Sequence, residues 1–147
     1  MSYIDGKNIK DFKVEDIIKE TINVSNNAVS PLTDFCVGAI IETEEGNLYS
    51  GCNFELISAL YTLCAERSAL AKAVSCGEKN FKRVYIYGHK RDFSAIRFIY
   101  PCGICLQTFN EICDADFEIV SIKSETEIEI NKLEDFLPKG FAKKKNI

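Results

Sequence analysis

Leu63-Cys64-Ala65-Glu66-Arg67 and Tyr100-Pro101-Cys102-Gly103-Ile104-Cys105 hold the residues around which this chain is organised. The second stretch is a CxxC at an expected helix start, which sets two sulfurs one turn apart and able to grip a single ion. Adding Cys64 completes a three-thiolate donor set suited to zinc, and a tetrahedral ion on three protein ligands keeps its fourth position open. An open position marks a catalytic site, not a structural one. Glu66 is close to Cys64 but is not needed as a ligand, so it can take a proton from water at that position and deliver it elsewhere. Three thiolates alone would make such water a poorer acid. Two features offset this: each cluster opens an expected helix, whose N-terminus favours thiolate, and Arg67 stands beside Cys64 to tune it. Residues i and i+2 diverge on a helix, so Cys64 and Glu66 can face one ion only if Cys64 occupies the first helical position.

A chain of 147 residues with 46% hydrophobic content suits one domain over 1–147, able to bury a core without disulfide staples. The cysteine count is odd, at 7, residues 1–8 contain no apolar run and no stretch reaches bilayer length, so a cytoplasmic protein with reduced thiols and no membrane partner is expected. The net charge of -4 and scattered basic residues leave a nucleic-acid polymer little to hold. Lys143, Lys144 and Lys145 read as a solvated, frayed terminus. Cys36, Cys52, Cys76 and Cys113 read as small buried hydrophobes, and His89 as a solvated loop residue rather than a ligand.

Apolar residues at three- and four-residue spacing predict a helix over 11–28, closed by Ser30 and Pro31. A β-branched run over 36–41 reads as a strand covered on both faces, followed by a hairpin turn over 44–47 and a second strand over 48–54. Residues 55–63 show neither period and read as a loop. A helix over 64–76 stops at Gly77, a strand follows over 84–87, and a loop runs over 89–99. Pro101 is expected in the first turn of a helix reaching Cys113. Strands over 117–122 and 126–130 and a brief helix over 133–137 complete the chain. This order predicts an α/β fold, a mixed sheet with helices on both faces.

A lone CxxC would also fit a structural zinc or a redox pair, but Cys-Ala-Glu at one helix start with a downstream Pro-Cys-x-x-Cys is the pattern of zinc deaminases. Phe35-Cys36-Val37-Gly38-Ala39, Gly51-Cys52-Asn53-Phe54-Glu55, Cys64-Ala65-Glu66-Arg67, Pro101-Cys102-Gly103-Ile104-Cys105-Leu106-Gln107 and Leu137-Pro138-Lys139-Gly140-Phe141 stand in order along the chain. From about Ala28 to Phe141 the sequence resembles the small, homotetrameric, three-cysteine cytidine deaminases. The resemblance implies a three-layer α/β/α sandwich on a five-stranded mixed sheet, with one zinc per subunit held by Cys64, Cys102 and Cys105. It also implies hydrolytic deamination of cytidine and 2′-deoxycytidine to the uridines with release of ammonia, as in pyrimidine salvage. Glu66 would be the catalytic proton carrier, moving a proton from water to ring N3. Asn53 and Glu55 would hold the ribose 3′-hydroxyl, Phe35 would stack on the base, and Ala65 would lie with the backbone groups that meet it. Phe141 would reach a neighbouring subunit's pocket, so that active sites are shared across a homotetramer.

Departures from the family fall where specificity would live. Leu56-Ile57-Ser58-Ala59 replaces Asn-Ala-Ser-Tyr, no tyrosine stands near Leu32, Leu106 replaces an arginine, the loop over 88–100 is long, and Tyr100 replaces a serine. The alternative substrate is therefore another cytosine-bearing nucleoside such as blasticidin S, although relatives of that kind lack the glutamate matched by Glu55. A zinc-stabilised interaction module without turnover is the alternative from a different class; in it Glu66 would be dispensable.

Overall fold

Along Phe35–Thr43, the strand β2, successive side chains enter different cores: Ala39 and Ile41 face one side of the sheet and Ile40 the other. The same division holds on Phe81–Lys90, where Val84 and Ile86 oppose Tyr85 and Tyr87. A strand buried on both faces reads as a continuous apolar run, which is why the sequence there lacks polar alternation.

The computed structural model describes residues 4–144. Before β2 come a short strand β1 (Lys7–Asn8) and helix α1 (Val14–Ser25). After it come β3 (Asn47–Cys52), β4 (Phe54–Leu56), β5 (Tyr61–Leu63), α2 (Ala65–Ser75), β6 (Phe81–Lys90), α3 (Gly103–Ile112), β7 (Glu118–Ser124), β8 (Glu127–Lys132) and α4 (Leu133–Phe136). The main sheet has six strands in the order β1-β3-β2-β6-β7-β8. Five were expected; the sixth is β1, too short to leave a periodic signal, which pairs antiparallel with the outer edge of β3.

β2 is antiparallel to both β3 and β6, and β6 is parallel to β7, so β3, β6 and β7 share one direction. Parallel strands need crossover connections. The crossovers from β3 to β6 and from β6 to β7 carry α2 and α3, and both helices bury residues in the same core: Ala65, Ala69, Leu70 and Ala73 from one, Cys105 and Phe109 from the other. Two crossovers of the same hand, stepping the same way along the sheet, put both helices on one face. α1 covers the opposite face through Ile17 and Ile18, packed with Ile40, Tyr85 and Val120. The result is the expected α/β/α layering.

Several local expectations need correction. α1 begins at Val14 rather than near 11, because the Asp16 carboxylate accepts a hydrogen bond from the Lys13 backbone N–H at 3.1 Å and fixes the helix start there. Residues 55–63 are not a loop: β4 and β5 pair antiparallel as a separate two-stranded sheet, Phe54 opposite Leu63. Its strands are three residues long, and β4 exposes Phe54 and Leu56 while burying Glu55, so the alternation is too short and of inverted polarity to mark a strand in the sequence. β6 runs on to Lys90, so His89 is a strand residue. Pro101 precedes the helix instead of entering its first turn, since α3 starts at Gly103. Cys36 and Cys113 are buried as expected, but Cys52 is half-buried and Cys76, capping the C-terminus of α2, is exposed. Of the terminal lysines, Lys144 is tied down: its N–H donates to the Asn110 carbonyl at 2.8 Å and its Nζ pairs with Asp114 at 3.0 Å. Lys143 is exposed, and Lys145 lies outside the described residues.

α2 sits close on the sheet at Gly51. A side-chain carbon there would collide with the backbone nitrogen of Ala69 and stand 2.8 Å from the Ala65 carbonyl oxygen. Backbone cannot yield as a flexible side chain does, so Gly51→Ala is expected to destabilise the fold by about 1–3 kcal/mol. Urea unfolding of the two proteins measures this, and equal midpoints would disprove the close approach.

Candidate active site

Both cysteine clusters stand at helix starts at the carboxyl edge of the parallel strands. Cys64 is the N-cap of α2 and Cys102 the N-cap of α3, both with extended backbone, and Cys105 lies in the first turn of α3. Cys64 therefore precedes the first helical residue instead of occupying it. That placement resolves the geometric difficulty: an extended N-cap directs its side chain independently of the helical spiral, so Cys64 and Glu66 can flank the same space. Helix caps usually carry oxygen side chains that satisfy the free backbone N–H groups. Neither cysteine makes such a side-chain bond, which leaves the sulfurs free for an ion.

The Sγ atoms of Cys64, Cys102 and Cys105 all lie within 4.8 Å of one another, and they form the one such potential metal cluster among the described residues. Cys64 Sγ and Cys102 Sγ are 3.6 Å apart. Sulfurs on a tetrahedral zinc at about 2.3 Å stand about 3.8 Å from each other, so the set fits that ion in donor chemistry and in spacing. His89 is not part of the cluster. It is buried under the other face, with Nε2 3.0 Å from Ser25 Oγ, Nδ1 2.7 Å from the Lys90 carbonyl and its ring stacked on Phe93 at 4.4 Å.

Electrostatics favour an ionised sulfur at Cys64. Hydrogen bonding from Cys105, with further contributions from Arg67 and Cys102, outweighs burial and lowers the Cys64 thiol to about 5. Cys105 shifts upward, held neutral first by its hydrogen bond to Cys64 and then by burial. Arg67 donates through Nη2 to Cys64 Sγ at 3.6 Å and to the Thr62 carbonyl at 3.2 Å. Its Nε is buried without a hydrogen-bond partner, a cationic donor kept beside the sulfurs. Burial pushes the Glu66 carboxyl up to about 7.

Cys64, Glu66 and Cys102 line a cavity of about 480 Å³ whose opposite wall includes Phe35, Asn53 and Glu55. Ala65 also borders it. Asn53 bridges to β2: its Oδ1 accepts from the Val37 N–H at 2.7 Å and its Nδ2 donates to the Phe35 carbonyl at 2.9 Å. Glu55 Oε2 accepts from the backbone N–H groups of Leu32 at 2.8 Å and Thr33 at 3.1 Å, and Oε1 accepts from Thr33 Oγ1. Burial alone would raise the Glu55 carboxyl, but these donors hold it below its usual value. Phe141 does not line this cavity in its own chain; it is 82% exposed, while its carbonyl accepts from Gln107 Nε2 and Asn110 Nδ2, both at 2.7 Å.

The cavity also has a wall that sequence reasoning did not assign, formed by Arg97, Phe98, Ile99 and Tyr100. The only signal for it in the sequence is the unusual length of the 88–100 loop.

Residues 12–121 match the family model described as the cytidine and deoxycytidylate deaminase zinc-binding region. The chain is 33% identical over 130 residues to a cytidine deaminase of Sporosarcina psychrophila, covering 88% of this chain and 92% of that protein. It is 32% identical over 126 residues to a cytidine deaminase of Halalkalibacterium halodurans, covering 86% and 92%. Among solved structures, a cytidine deaminase from Burkholderia pseudomallei superposes with a TM-score of 0.78 at 28% identity, covering 88% of this chain and all of that one.

Residues that orient metal ligands typically contribute 10- to 100-fold to metal affinity. Arg67→Ala is expected to weaken zinc binding by roughly that factor and Cys105→Ala to abolish stoichiometric binding, measured by competition with a chromogenic chelator. Wild-type affinity in either variant would remove that residue from the metal site.

Proposed function

Because the chain belongs to the zinc-binding cytidine and deoxycytidylate deaminase family, we propose that it hydrolytically deaminates cytidine and 2′-deoxycytidine to uridine and 2′-deoxyuridine, releasing ammonia, in pyrimidine salvage. The observation that carries this reading is a buried carboxyl group, Glu66, on the wall of the same cavity as Cys64 and Cys102, two of the three converging sulfurs.

Cys64, Cys102 and Cys105 would hold one zinc ion per subunit, which when bound supplies Lewis-acid activation of water. Glu66, with its carboxyl raised to about 7 by burial, is suited to both accepting and returning a proton near neutrality. It takes a proton from the attacking water, delivers it to ring N3, and then assists the departing ammonia. Phe35 stacks on the base, and the Ala65 backbone N–H, in the first turn of α2 where no helical acceptor exists, donates to the ring carbonyl.

Counting donors and acceptors supports the sugar role of Asn53 and Glu55. An asparagine amide has two N–H donors, of which one is used; a carboxylate has about four acceptor positions, of which three are used. A donor on Asn53 and an acceptor on Glu55 thus remain, the complement of a single hydroxyl that accepts and donates at once. That matches the 3′-hydroxyl, and it leaves ribose and 2′-deoxyribose equally acceptable.

The chain would act as one domain in a cytoplasmic homotetramer. The seven free cysteines suit a reducing compartment. Exposed Ile57, Leu60 and Tyr61 on the β4–β5 hairpin, together with exposed Phe141, offer apolar surface for neighbouring copies. No helix among the described residues is long and apolar enough to cross a membrane.

Glu66→Gln is expected to keep its zinc and lose cytidine turnover by about 10²- to 10⁴-fold, followed as the loss of cytosine absorbance. Unchanged turnover would remove Glu66 from catalysis, and no cytidine turnover by fully metallated wild type would overturn the cytidine reading in favour of another cytosine nucleoside or a non-enzymatic module. Phe141→Ala is expected to lower turnover with zinc content unchanged; equal rates would show that the active site is complete within one chain.

A further inference from the structure

We propose that Thr33 is a positioning residue of the sugar subsite: its hydroxyl fixes the one carboxylate oxygen of Glu55 that stays open to a ligand and ties it to the backbone of Phe35. This deepens the deaminase reading above and rests on the assignment of Asn53 and Glu55 to the 3′-hydroxyl.

The first support is how the Glu55 carboxylate uses its acceptor positions. Oε2 receives two backbone N–H groups, from Leu32 at 2.8 Å and Thr33 at 3.1 Å, which fill its two lone pairs. Oε1 receives one donor, the Thr33 hydroxyl, and keeps one lone pair. The backbone beneath is already held: the Glu55 N–H donates to the Val29 carbonyl at 2.8 Å, and the Val29 N–H to the Asn53 carbonyl at 3.1 Å. Two donors on Oε2 pin that atom but leave Oε1 free to swing about it. The Thr33 hydroxyl is the group that stops the swing and so aims the remaining lone pair.

The second support is that the same hydroxyl reaches the base side of the cavity. While donating to Glu55, Thr33 Oγ1 accepts from the Phe35 N–H at 3.1 Å. The Phe35 carbonyl in turn accepts from Asn53 Nδ2 at 2.9 Å. Both residues assigned to the sugar are therefore referenced to one residue of β2, Glu55 through Thr33 to its N–H and Asn53 directly to its carbonyl. Thr33, Phe35, Asn53 and Glu55 all border the cavity. Ring and sugar acceptor thus keep a set spacing, which a nucleoside, whose base and sugar are joined by one bond, requires of its site.

The third support is that the turn carrying Thr33 does not depend on its hydroxyl. Asp34 has φ +56°, in the left-handed region that few residues other than glycine adopt, and this reversal brings the side chain of residue 33 onto the N–H of residue 35. Other bonds hold the turn: the Asp34 N–H donates to the Ser30 carbonyl at 2.9 Å, the Arg91 N–H to the Asp34 carbonyl at 3.1 Å and Lys90 Nζ to the Thr33 carbonyl at 2.7 Å. Thr33 is also exposed, so valine in its place opens no void in a core. The hydroxyl is left to orient Glu55 and Phe35.

The test compares cytidine with 3′-deoxycytidine, which differ only in the hydroxyl that Glu55 would meet, using the zinc-loaded full chain. The readout is the ratio of their kcat/KM values within each protein, which cancels any general loss of activity. In wild type the ratio is expected to be about tenfold or more, as for a hydrogen bond to a charged group. Thr33→Val and Thr33→Ala are expected to lower it toward the value of Glu55→Ala, and Thr33→Ser to keep it. Thr33→Val added to Glu55→Ala is expected to lower it no further, because one residue acts through the other. A wild-type ratio in Thr33→Val and Thr33→Ala, an equal fall in Thr33→Ser, or a further fall in the double variant overturns the proposal while the sugar assignment stands. A wild-type ratio of one overturns the sugar assignment and the proposal with it, and no turnover of either nucleoside overturns the deaminase reading as well.

Discussion

Two helix starts held against each other at one edge of a sheet are the constraint on which the rest of this molecule depends. Three sulfurs can share an ion only if Cys64, at the cap of α2, comes within a few ångströms of Cys102 and Cys105 at the beginning of α3. The crossover topology delivers this. β3 and β6 run in the same direction and each is followed by a helix on the same face, so both helices begin at the carboxyl edge of the sheet, where open α/β sheets generally place their ligands. The small side chains of α2 and the bare backbone at Gly51 let the first of these helices lie close on the sheet.

The same arrangement accounts for the electrostatics. The hydrogen bond from Cys105, with Arg67 beside it, favours thiolate at Cys64, while burial raises the proton affinity of the neighbouring Glu66 carboxyl to about 7. A sulfur that prefers to be charged and a carboxyl that readily exchanges a proton thus come from the cap and the first turn of one helix. Their difference arises from environment: one group caps the helix and meets a guanidinium, and the other is sealed in the core.

The far side of the cavity is built by clasps between loops. Glu55 gathers the backbone of Leu32 and Thr33, Asn53 ties β2 to the end of β3, and Arg91 and Lys90 fasten residues 28–34 from the other direction. Polar side chains on this wall therefore have most of their hydrogen-bonding capacity committed before any ligand arrives. Such commitment pre-orients the few positions that remain, and it lowers the entropy lost when a ligand is held.

Cysteine spacing, the acidic residue next to Cys64 and the apolar runs of β2 and β6 were legible from the sequence because each follows from local chemistry: donor type, helix start signals and residue period. The layered α/β/α arrangement followed from the order of those runs. Elements too short for a local period to be diagnostic were missed, namely the two-residue β1, whose existence depends on the edge of β3, and the β4–β5 hairpin, whose three-residue strands turn apolar side chains outward. His89 looked like a loop residue because its burial comes from α1 and Phe93, distant in sequence or on a neighbouring turn, and not from its own flanks. Sequence alone determined which atoms could bind an ion and which carboxyl could move a proton, since those are properties of side chains. Only the tertiary structure decided that the sulfurs meet, that Cys64 escapes the helical spiral as a cap, and that residues 97–100 wall the same cavity, because all three depend on how the sheet brings distant segments to one edge.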